Sequence, residues 1–420
     1  MSQAGAGSRG IKAPDALAAL FDDQALRRVF AALAQEGEET RIVGGALRNA
    51  LLGRPVHEID LATTLGPKAI MARANAAGLR VVPTGIAHGT VTVLALERTF
   101  EVTTLREDIA TDGRHAKVLF GRDFKTDALR RDFTMNALSM TRDGRMFDYS
   151  GSLDDIAARK VRFIGEPARR IAEDFLRILR FFRFSADFGE GPLDSAGRLA
   201  AIRQREGLAR LSRERIHAEI LKLLSARQAA RVCADICADG LLHPLIASVP
   251  DPARLRRVVA IVPPQDPLLR LGALCVRLHE DAARLRERLR LSNAEAERLE
   301  GAATALVTLH GLDEPPRPDG LRDLLFRHGR QAAGDAIILA QADARPGHDD
   351  EWERARKFLQ DTAEPRLPFS GADMIARGIT EGRAIGEALR ELQARWIKAG
   401  FPTDPARLAR LLDETLRRTP

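Results

Sequence analysis

Apolar residues recur at two different spacings along this chain, and the change of spacing divides it into two parts. Up to about Ser150, runs with apolar residues at alternate positions are interleaved with runs in which they recur every three or four positions. The first spacing is typical of half-buried strands and the second of amphipathic helices. Beyond Gly151 the alternating runs almost vanish. The sequence therefore predicts an α+β fold, with a small mixed sheet and its helices first and an all-α remainder after it.

Individual elements of the first part follow from this spacing and from the Gly and Pro residues that interrupt it. The predictions in chain order are a helix over 13–34, a strand over 40–43, a helix from 45 to 52, a strand over 56–62, a helix over 67–77, and a hairpin formed by 90–96 and 99–104. The small, polar, glycine-rich start is predicted to be a disordered lead-in.

Clusters of Pro and Gly break the helical part into pieces at residues 262–266, 313–320 and 363–371. No repeat of fixed period accompanies them, which disfavours a solenoid. The predicted domains are a lead-in (1–12), a head (13–150), a neck (151–230), a body (231–320) and a tail (321–420).

The composition predicts a soluble globular protein with a polyanionic partner. A chain of 420 residues with 45% hydrophobic content can bury a sizeable core. It shows neither a leader at its start nor an apolar run near the roughly 18 residues that a membrane span needs, so the cytoplasm is the predicted compartment. The three cysteines fit neither a disulfide framework nor a zinc spacing and are expected to pack as small apolar side chains. The formal charge of +7 comes from an excess of arginine and favours a polyanion.

Candidate chemistry begins at a glycine turn, Gly44-Gly45, which ends a predicted strand and opens a predicted helix. Glycine lets a phosphate approach the backbone, a helix N-terminus offers unpaired N–H groups, and Arg48 one turn later adds a guanidinium. A phosphate-binding turn is one interpretation, and a plain strand-to-helix turn is the other.

Three carboxylates follow this turn. Strand alternation places Glu58 and Asp60 on one face of a predicted strand, and Glu101 lies between apolar residues in another. Paired carboxylates suit Mg²⁺, which prefers hard oxygen ligands and, as two ions, can organise an attacking hydroxyl and a triphosphate. Taken singly, these residues could also form an exposed acidic strand face or a cross-strand ion pair.

Further motifs follow in a definite order. They read Thr103-Thr104-Leu105-Arg106 through Asp112-Gly113-Arg114-His115-Ala116, Arg130-Arg131-Asp132-Phe133-Thr134-Met135-Asn136-Ala137, Asp148-Tyr149-Ser150-Gly151, Glu173-Asp174-Phe175-Leu176-Arg177-Ile178-Leu179-Arg180, and Leu211-Ser212-Arg213-Glu214-Arg215-Ile216. With the glycine turn and the carboxylates, this ordered set resembles the polymerase-β-like nucleotidyltransferases, and specifically the bacterial-type (class II) CCA-adding enzymes and their poly(A) polymerase relatives. The resemblance implies a nucleotidyltransferase head followed by helical neck, body and tail.

The resemblance also implies roles for the matched positions. Glu58 and Asp60 correspond to the metal ligands, with Glu101 assisting in catalysis, although the family usually has aspartate at both positions of the pair. The longer Glu58 side chain keeps a hard oxygen ligand but moves its carboxylate. The nucleotide-binding positions implied are Gly44, Gly45, Arg48, Arg131, Asp132, Asp174, Arg177 and Arg180. A flexible head loop is implied around 103–116, and a hinge near 148–154 is expected to change specificity between C and A.

Base selection has a physical basis in the pair Asp174 and Arg177. Cytosine and adenine each present an amine donor beside a ring-nitrogen acceptor, whereas guanine and uracil present a carbonyl beside a ring N–H. Three positions apart, the two residues are predicted to share a helix face, where the carboxylate accepts from the amine and the guanidinium donates to the ring nitrogen. A wrong base leaves these polar groups unmatched. In isolation, the motif could instead be a surface ion-pair ladder.

The implied function is template-independent addition of C and A residues from CTP and ATP to the 3′ end of tRNA, with Mg²⁺ as cofactor and Mn²⁺ as the alternative ion. The expected partners are tRNA and nucleoside triphosphates, with no membrane and no obligate protein partner. Poly(A) polymerases and specialised CC-adding or A-adding enzymes share these motifs, and a non-catalytic RNA-binding relative is the alternative from another class. The nine histidines supply no cluster for an added metal phosphohydrolase.

Overall fold

The computed structural model describes residues 11–12, 17–111, 116–262, 266–379 and 382–417. The chain divides into two compact units, Met1–Val232 and Cys233–Pro420. The strands of the described residues all lie in the first unit, and the second unit is helical. The predicted order, an α+β part followed by an all-α part, is confirmed.

The first unit is built on a mixed sheet. Its strands are β1 (Ile11–Lys12), β2 (Thr40–Val43), β3 (Asp60–Thr63), β4 (Arg80–Gly85), β5 (Thr90–Ala95), β6 (Arg98–Thr104), β7 (Arg106–Thr111), β8 (Ala116–Phe120), β9 (Ser139–Thr141) and β10 (Arg145–Phe147). Eight of them form one sheet in the order β1-β10-β9-β2-β3-β6-β5-β4, and β7 pairs with β8 separately. β3 and β6 run parallel, and the other neighbours are antiparallel. Residues 11 and 12 were predicted to belong to the disordered lead-in. They form β1 instead, because Ile11 pairs with Met146 on β10.

The hairpin β5–β6 shows why these residues form strands. Val91 and Val93 on β5 and Phe100 and Val102 on β6 are buried at alternate positions, while the residues between them face the other way. A two-residue turn, Leu96-Glu97, joins the strands with φ angles of 45° and 63°. Two positive φ angles are the signature of a type I′ turn, which matches the twist of the strands. The predicted hairpin is confirmed.

The first five helices of the first unit are interleaved with the strands along the chain, and the other helices follow the last strand. They are α1 (Ala18–Phe21), α2 (Gln24–Leu33), α3 (Gly45–Leu51), α4 (Pro67–Ala76), α5 (Phe124–Leu129), α6 (Ser152–Ala157), α7 (Pro167–Glu173), α8 (Leu176–Phe188), α9 (Ser195–Arg203) and α10 (Arg213–Ser225), with α11 (Ala229–Ala238) crossing into the second unit. The single helix predicted over 13–34 is wrong in its described part. It breaks before Asp23, whose carboxylate accepts a hydrogen bond from the Leu26 N–H and starts a new helix.

A phenylalanine cluster joins the sheet part to α8. Phe133, which follows the Arg130-Arg131-Asp132 motif, lies 4.9 Å from the Phe163 ring and 5.0 Å from the Phe184 ring on α8. Phe181, also on α8, stacks on Phe163 at 5.5 Å. Aromatic pairs at such distances add about 0.5–1.5 kcal/mol each beyond the area they bury. The cluster therefore fixes α8 against the motif that precedes it.

The second unit consists of helices. They are α12 (His243–Ile246), α13 (Pro252–Ile261), α14 (Pro267–Cys275), α15 (His279–Leu289), α16 (Asn293–Leu306), α17 (Pro318–Asp343), α18 (Asp349–Asp361), α19 (Gly371–Ile375), α20 (Gly382–Lys398) and α21 (Pro405–Leu416). The predicted breaks at 262–266, 313–320 and 363–371 fall at the ends of helices, and α17 runs across the predicted boundary between body and tail. Cys233 and Cys275 are buried as expected. Across the described residues, no helix is both long enough and apolar enough to cross a membrane.

Candidate active site

One cleft of about 570 Å³ in the first unit gathers most of the predicted site residues. The predicted residues that line it are Gly44, Gly45, Arg48, Asp60, Glu101, Arg131, Asp132, Asp174, Arg177 and Arg180. Positions spread over more than 130 residues of sequence thus meet in one place. Glu58 is the predicted site residue that does not line this cleft.

Two carboxylates lie side by side on neighbouring parallel strands. Asp60 on β3 is the register partner of Glu101 on β6, and neighbouring strands lie about 4.8 Å apart. Desolvation by the surrounding protein raises the pKa of Asp60, and the charges of Glu101 and Glu58 raise it further. Such a site concentrates negative charge that a cation would compensate.

Glu58 does not lie in a strand, which corrects the sequence prediction. β3 begins only at Asp60, opposite Val43, the last residue of β2. Because the chain leaves β2 for the Gly44 turn, the residues before Asp60 have no partner strand on that side. Glu58 is therefore on an exposed segment beside the site. Among the described residues, no group of three or more His, Cys, Asp or Glu side chains could hold a metal ion by itself.

The glycine turn makes room for an arginine. Gly44 has φ 69° and ψ −120°, a conformation that favours glycine. A Cβ atom at this position would lie 2.9 Å from the Arg131 Nη1 atom. The turn is held by a hydrogen bond of 3.1 Å from the Gly44 N–H to the Leu138 carbonyl. Glycine at 44 therefore lets the Arg131 guanidinium lie against the start of α3.

Arg48 lines the cleft from a largely buried position. Its guanidinium donates to the side-chain oxygens of Asn136 at 2.5 Å and Asn49 at 2.9 Å, and lies 3.9 Å from the Phe188 ring centroid. Desolvation lowers the pKa of Arg48 to about 10, and the nearby Asp187 partly offsets this effect. The group stays charged at neutral pH, as a phosphate-binding cation must.

Asp132 and Arg180 form an ion pair between the Arg130-Arg131-Asp132 motif and α8. Arg180 donates from Nε at 2.8 Å and from Nη2 at 2.6 Å to one Asp132 oxygen, and the Asn136 amide donates to the other at 3.1 Å. Burial alone would raise the pKa of Asp132, but the Arg180 charge and these hydrogen bonds outweigh it and lower the pKa.

Asp174 and Arg177 both line the cleft, but the prediction that they share one helix face is wrong. Asp174 ends α7 in an extended conformation, φ −156°, and its carboxylate accepts from the Leu176 N–H at the start of α8. Its other oxygen accepts from Arg215 at 2.7 Å. Arg177 donates to Glu173 at 2.5 Å. Asp174 and Arg177, the predicted base-reading groups, therefore each have a protein partner.

Several residues of the cleft were not predicted as site residues: Asp127, Arg130, Asn136 and Arg215, with Glu173 beside them as the partner of Arg177. Arg130, Asn136, Glu173 and Arg215 lie inside motifs quoted above, which was the available signal. Arg130 and Glu173 pair with residues three and four positions away, whereas the partners of Arg215 and Asn136 lie 41 and 88 residues away and no local pattern reveals them. Residues 112–115 of the predicted flexible loop lie outside the described residues.

The predicted hinge is a capped turn. The Asp148 carboxylate accepts hydrogen bonds from the backbone N–H groups of Ser150, Ser152 and Leu153 at 2.9–3.0 Å. Burial acts to raise the pKa of Asp148, but these bonds outweigh it and lower the pKa. The start of α6 is thus fixed to the end of β10.

Comparison with known proteins agrees with this geometry. Residues 40–162 match the family model described as "Poly A polymerase head domain", and residues 198–252 match "Probable RNA and SrmB- binding site of polymerase A". The mitochondrial CCA tRNA nucleotidyltransferase 1 of Mus musculus is 32% identical over 93% of this chain and 90% of its own length. This chain belongs to the CCA-adding enzyme family. Another member, the CCA-adding enzyme of Limosilactobacillus fermentum, is 30% identical over 93% of this chain and 96% of its own length.

Solved structures of CCA-adding enzymes share the fold. The Bacillus stearothermophilus CCA-adding enzyme in complex with CTP is 26% identical, with a TM-score of 0.73 over 96% of this chain and 99% of that one. The Thermotoga maritima CCA-adding enzyme complexed with tRNA is 18% identical, with a TM-score of 0.69 over 97% and 96%. The family fold therefore extends over nearly the whole chain.

The Asp132–Arg180 pair gives a prediction for stability against pH. We expect Asp132→Asn to cost about 2 kcal/mol of unfolding free energy at pH 7, because it leaves the Arg180 charge without its partner. Since the folded pKa of Asp132 is lowered, its contribution is present above about pH 4 and is lost as pH falls through the folded value. In urea unfolding measured from pH 3 to 7, the difference in unfolding free energy between the Asp132→Asn variant and the wild type should become smaller below pH 4. Asp143→Asn, at an exposed ion pair with Arg145, is the control, with a cost below about 1 kcal/mol. A constant difference at every pH would contradict this assignment.

Proposed function

We propose that this protein adds C and A residues from CTP and ATP to the 3′ end of tRNA without a nucleic-acid template. The observation that carries the proposal is the cleft, where the carboxylates of Asp60 and Glu101 lie in one cavity with Asp174 and Arg177. Membership of the CCA-adding enzyme family supports it, since relatives similar over nearly their whole length carry that activity in their names. Catalytic acids and base-reading groups around one nucleotide-sized space are what template-free nucleotidyl transfer needs.

Asp60 and Glu101 fit a divalent cation. Their carboxylates are hard oxygen ligands on adjacent strands, and the pKa of Asp60 is raised first by desolvation and then by the charge of Glu101, so a cation would stabilise its charged form. We assign Mg²⁺ to this pair, with Mn²⁺ as the alternative ion and Glu58 as a further ligand from the adjacent segment. When bound, the ion neutralises phosphate charge and lowers the pKa of the attacking 3′ hydroxyl.

Basic and polar residues of the cleft bind the rest of the nucleotide in this proposal. Arg48 and the Gly45 backbone lie on the phosphate side, and Arg131 lies against Gly44 and donates to Asp127. Asp132, fixed by Arg180, faces the cleft as an acceptor for a ribose hydroxyl. The 3′ hydroxyl of RNA attacks the α-phosphate, the bond to pyrophosphate breaks, and pyrophosphate leaves. Most of the rate enhancement then comes from positioning and charge neutralisation.

In this proposal, Asp174 and Arg177 read the base by forming hydrogen bonds with its edge. Before the nucleotide binds, each of them is paired with a protein side chain. The ion pairs with Arg215 and Glu173 hold the carboxylate and the guanidinium near their reading positions. A cytosine or adenine edge offers a donor to Asp174 and an acceptor to Arg177. Uracil or guanine would leave a desolvated charged group opposite a group of the wrong kind, at a cost of about 1–3 kcal/mol or more.

Binding of tRNA is assigned to the arginine-rich helices, through phosphate and 2′-hydroxyl contacts. A match of residues 198–252 to the model "Probable RNA and SrmB- binding site of polymerase A" supports RNA binding by helices of this chain. We place the reaction in the cytoplasm. Because the relative from Mus musculus is mitochondrial by name, cell fractionation is the test of that compartment.

The product of the reaction separates the proposed function from its alternatives. Purified protein is given tRNA lacking its last three nucleotides, together with CTP and ATP, and the added residues are sequenced. We expect addition to stop after C, C and A, as the names of the relatives imply. Long adenylate tails made from ATP alone would identify a poly(A) polymerase, and addition that stops at CC or requires a CC end would identify a partial enzyme. Tight RNA binding without incorporation would identify a non-catalytic relative.

A further inference from the structure

The segment that carries Glu58 has few attachments of its own. It leaves α3 at residue 52 and enters β3 at Asp60, and residues 55–58 make no hydrogen bond in the described structure. Within this segment, Arg54 and Val56 line an open cavity of about 680 Å³ and are half-buried, whereas Ile59, which also lines it, is buried. A segment so placed needs an anchor if the Glu58 carboxylate is to keep one position.

Arg54 supplies that anchor. Its Nη1 donates to the Asp187 carboxylate at 3.1 Å, and its Nη2 donates to the Asp187 backbone carbonyl. The guanidinium also lies 4.6 Å from the centroid of the Phe188 ring. Both side chains of the ion pair are about one-third exposed, so the charge attraction alone is modest. The planar fork, engaged at two oxygens and a ring, instead fixes a geometry that a lysine could not reproduce.

The anchor point is the far end of the helix that carries the nucleotide-reading arginines. Asp187 and Phe188 are the last residues of α8, whose 13 residues extend about 20 Å. Arg177 and Arg180, near its first turn, line the cleft. A cation at a helix C-terminus is favoured by the helix dipole, which suits Arg54 to this position.

The same helix end also contacts the phosphate side of the cleft. The Phe188 ring that Arg54 covers lies 3.9 Å from the Arg48 guanidinium. The end of α8 is therefore shared by Arg48 and by the segment of Glu58.

We propose that Arg54 is a positioning residue for the metal site: by holding the C-terminal end of α8, it fixes the Glu58 carboxylate relative to the helix that reads the base. The proposal rests on the proposed function, which assigns Glu58 to the metal. It also explains how glutamate serves where the family usually has aspartate. A longer side chain on a segment outside the sheet has more conformations available to it, so the position of its carboxylate depends on how the segment is held.

The first experiment measures metal binding without turnover. The dissociation constant of Mn²⁺ is determined by electron paramagnetic resonance for the full chain with a non-hydrolysable CTP analogue. We expect Arg54→Gln to weaken Mn²⁺ binding about tenfold, as removal of a residue that orients a metal ligand does. The dissociation constant of the Arg54→Lys protein should lie between those of Arg54→Gln and the wild type. The matched control is Arg145→Gln, which removes an exposed arginine–aspartate pair elsewhere in the same unit and should leave the constant unchanged.

The second experiment tests whether Arg54 acts through Glu58. In a Glu58→Gln background, Arg54→Gln should weaken Mn²⁺ binding no further. A lower melting temperature with unchanged Mn²⁺ binding would overturn the proposal, as would a tenfold weakening that persists in the Glu58→Gln background. Absence of CCA addition by the wild type would instead refute the proposed function, and this result is independent of the Mn²⁺ constants.

Discussion

Replacing Asp60 by Ala or Asn should abolish nucleotide incorporation, with a fall in kcat of about a thousandfold or more. Asp60 lies at the centre of the acidic site, in register with Glu101 and close enough to Glu58 to be affected by its charge. Without its carboxylate, the cleft loses the ligand on which the proposed metal assignment most depends. Single-turnover incorporation of labelled CTP at saturating Mg²⁺ measures the loss, and chelation of the metal in the wild type should reproduce it.

The same substitution should leave the fold intact, which separates a chemical effect from unfolding. The folded pKa of Asp60 is raised, so its charged form is disfavoured in the native state, and the carboxylate lowers stability at pH 7. Asp60→Asn removes that charge, and we expect a melting temperature equal to or above that of the wild type. Asp143→Asn, at an exposed acid of the same unit, should keep full incorporation. An active Asp60→Ala protein would refute the metal assignment.

Replacing Arg177 by Ala should remove most of the preference for C over U. In the proposed function the guanidinium is the donor to the ring nitrogen of cytosine, and hydrogen bonds to charged groups are worth about 1.5–3 kcal/mol. We therefore expect kcat/KM for CTP to fall about 100-fold, while the much slower use of UTP changes little. Asp174→Ala should act in the same direction, because it removes the acceptor. The measurement is kcat/KM for each nucleoside triphosphate on the same truncated tRNA.

Arg169 offers a matched control for Arg177. Both arginines contact Glu173, but Arg169 does so at 3.9 Å from a side chain that is 82% exposed, and it does not line the cleft. Arg169→Ala should leave the ratio of CTP to UTP use unchanged. A ratio that is also unchanged in Arg177→Ala would show that base selection lies elsewhere.

The parts of the fold that the sequence predicts are those with local causes. The β5–β6 hairpin follows from alternation of apolar residues, and α4 begins at a proline whose fixed φ suits a first helical position. The failures occur where a distant partner decides. Glu58 continues an alternating pattern, yet the strand starts later because β2 ends opposite Asp60. No feature of residues 56–59 contains that information.

The candidate site shows the same division. Ten of the eleven predicted site residues line the cleft, Glu58 being the exception. The pairing among them is a tertiary property: Asp174 contacts Arg215, 41 residues later, and leaves the helix pattern that its neighbours suggest. The sequence predicts which residues belong to the site. It does not predict the distant partners that hold each side chain in place.

The pairing of β3 with β6 makes the position of the Glu101 carboxylate depend on the same register that buries its neighbours. Glu101 lies between Phe100 and Val102, which are fully buried, and the tight turn at Leu96-Glu97 fixes the pairing of its strand. A slip of one residue would turn the carboxylate into the apolar interior and expose an aromatic ring to water. Any mutation that displaced the acid by such a slip would thus also damage folding, so selection against unstable variants preserves the catalytic geometry as well.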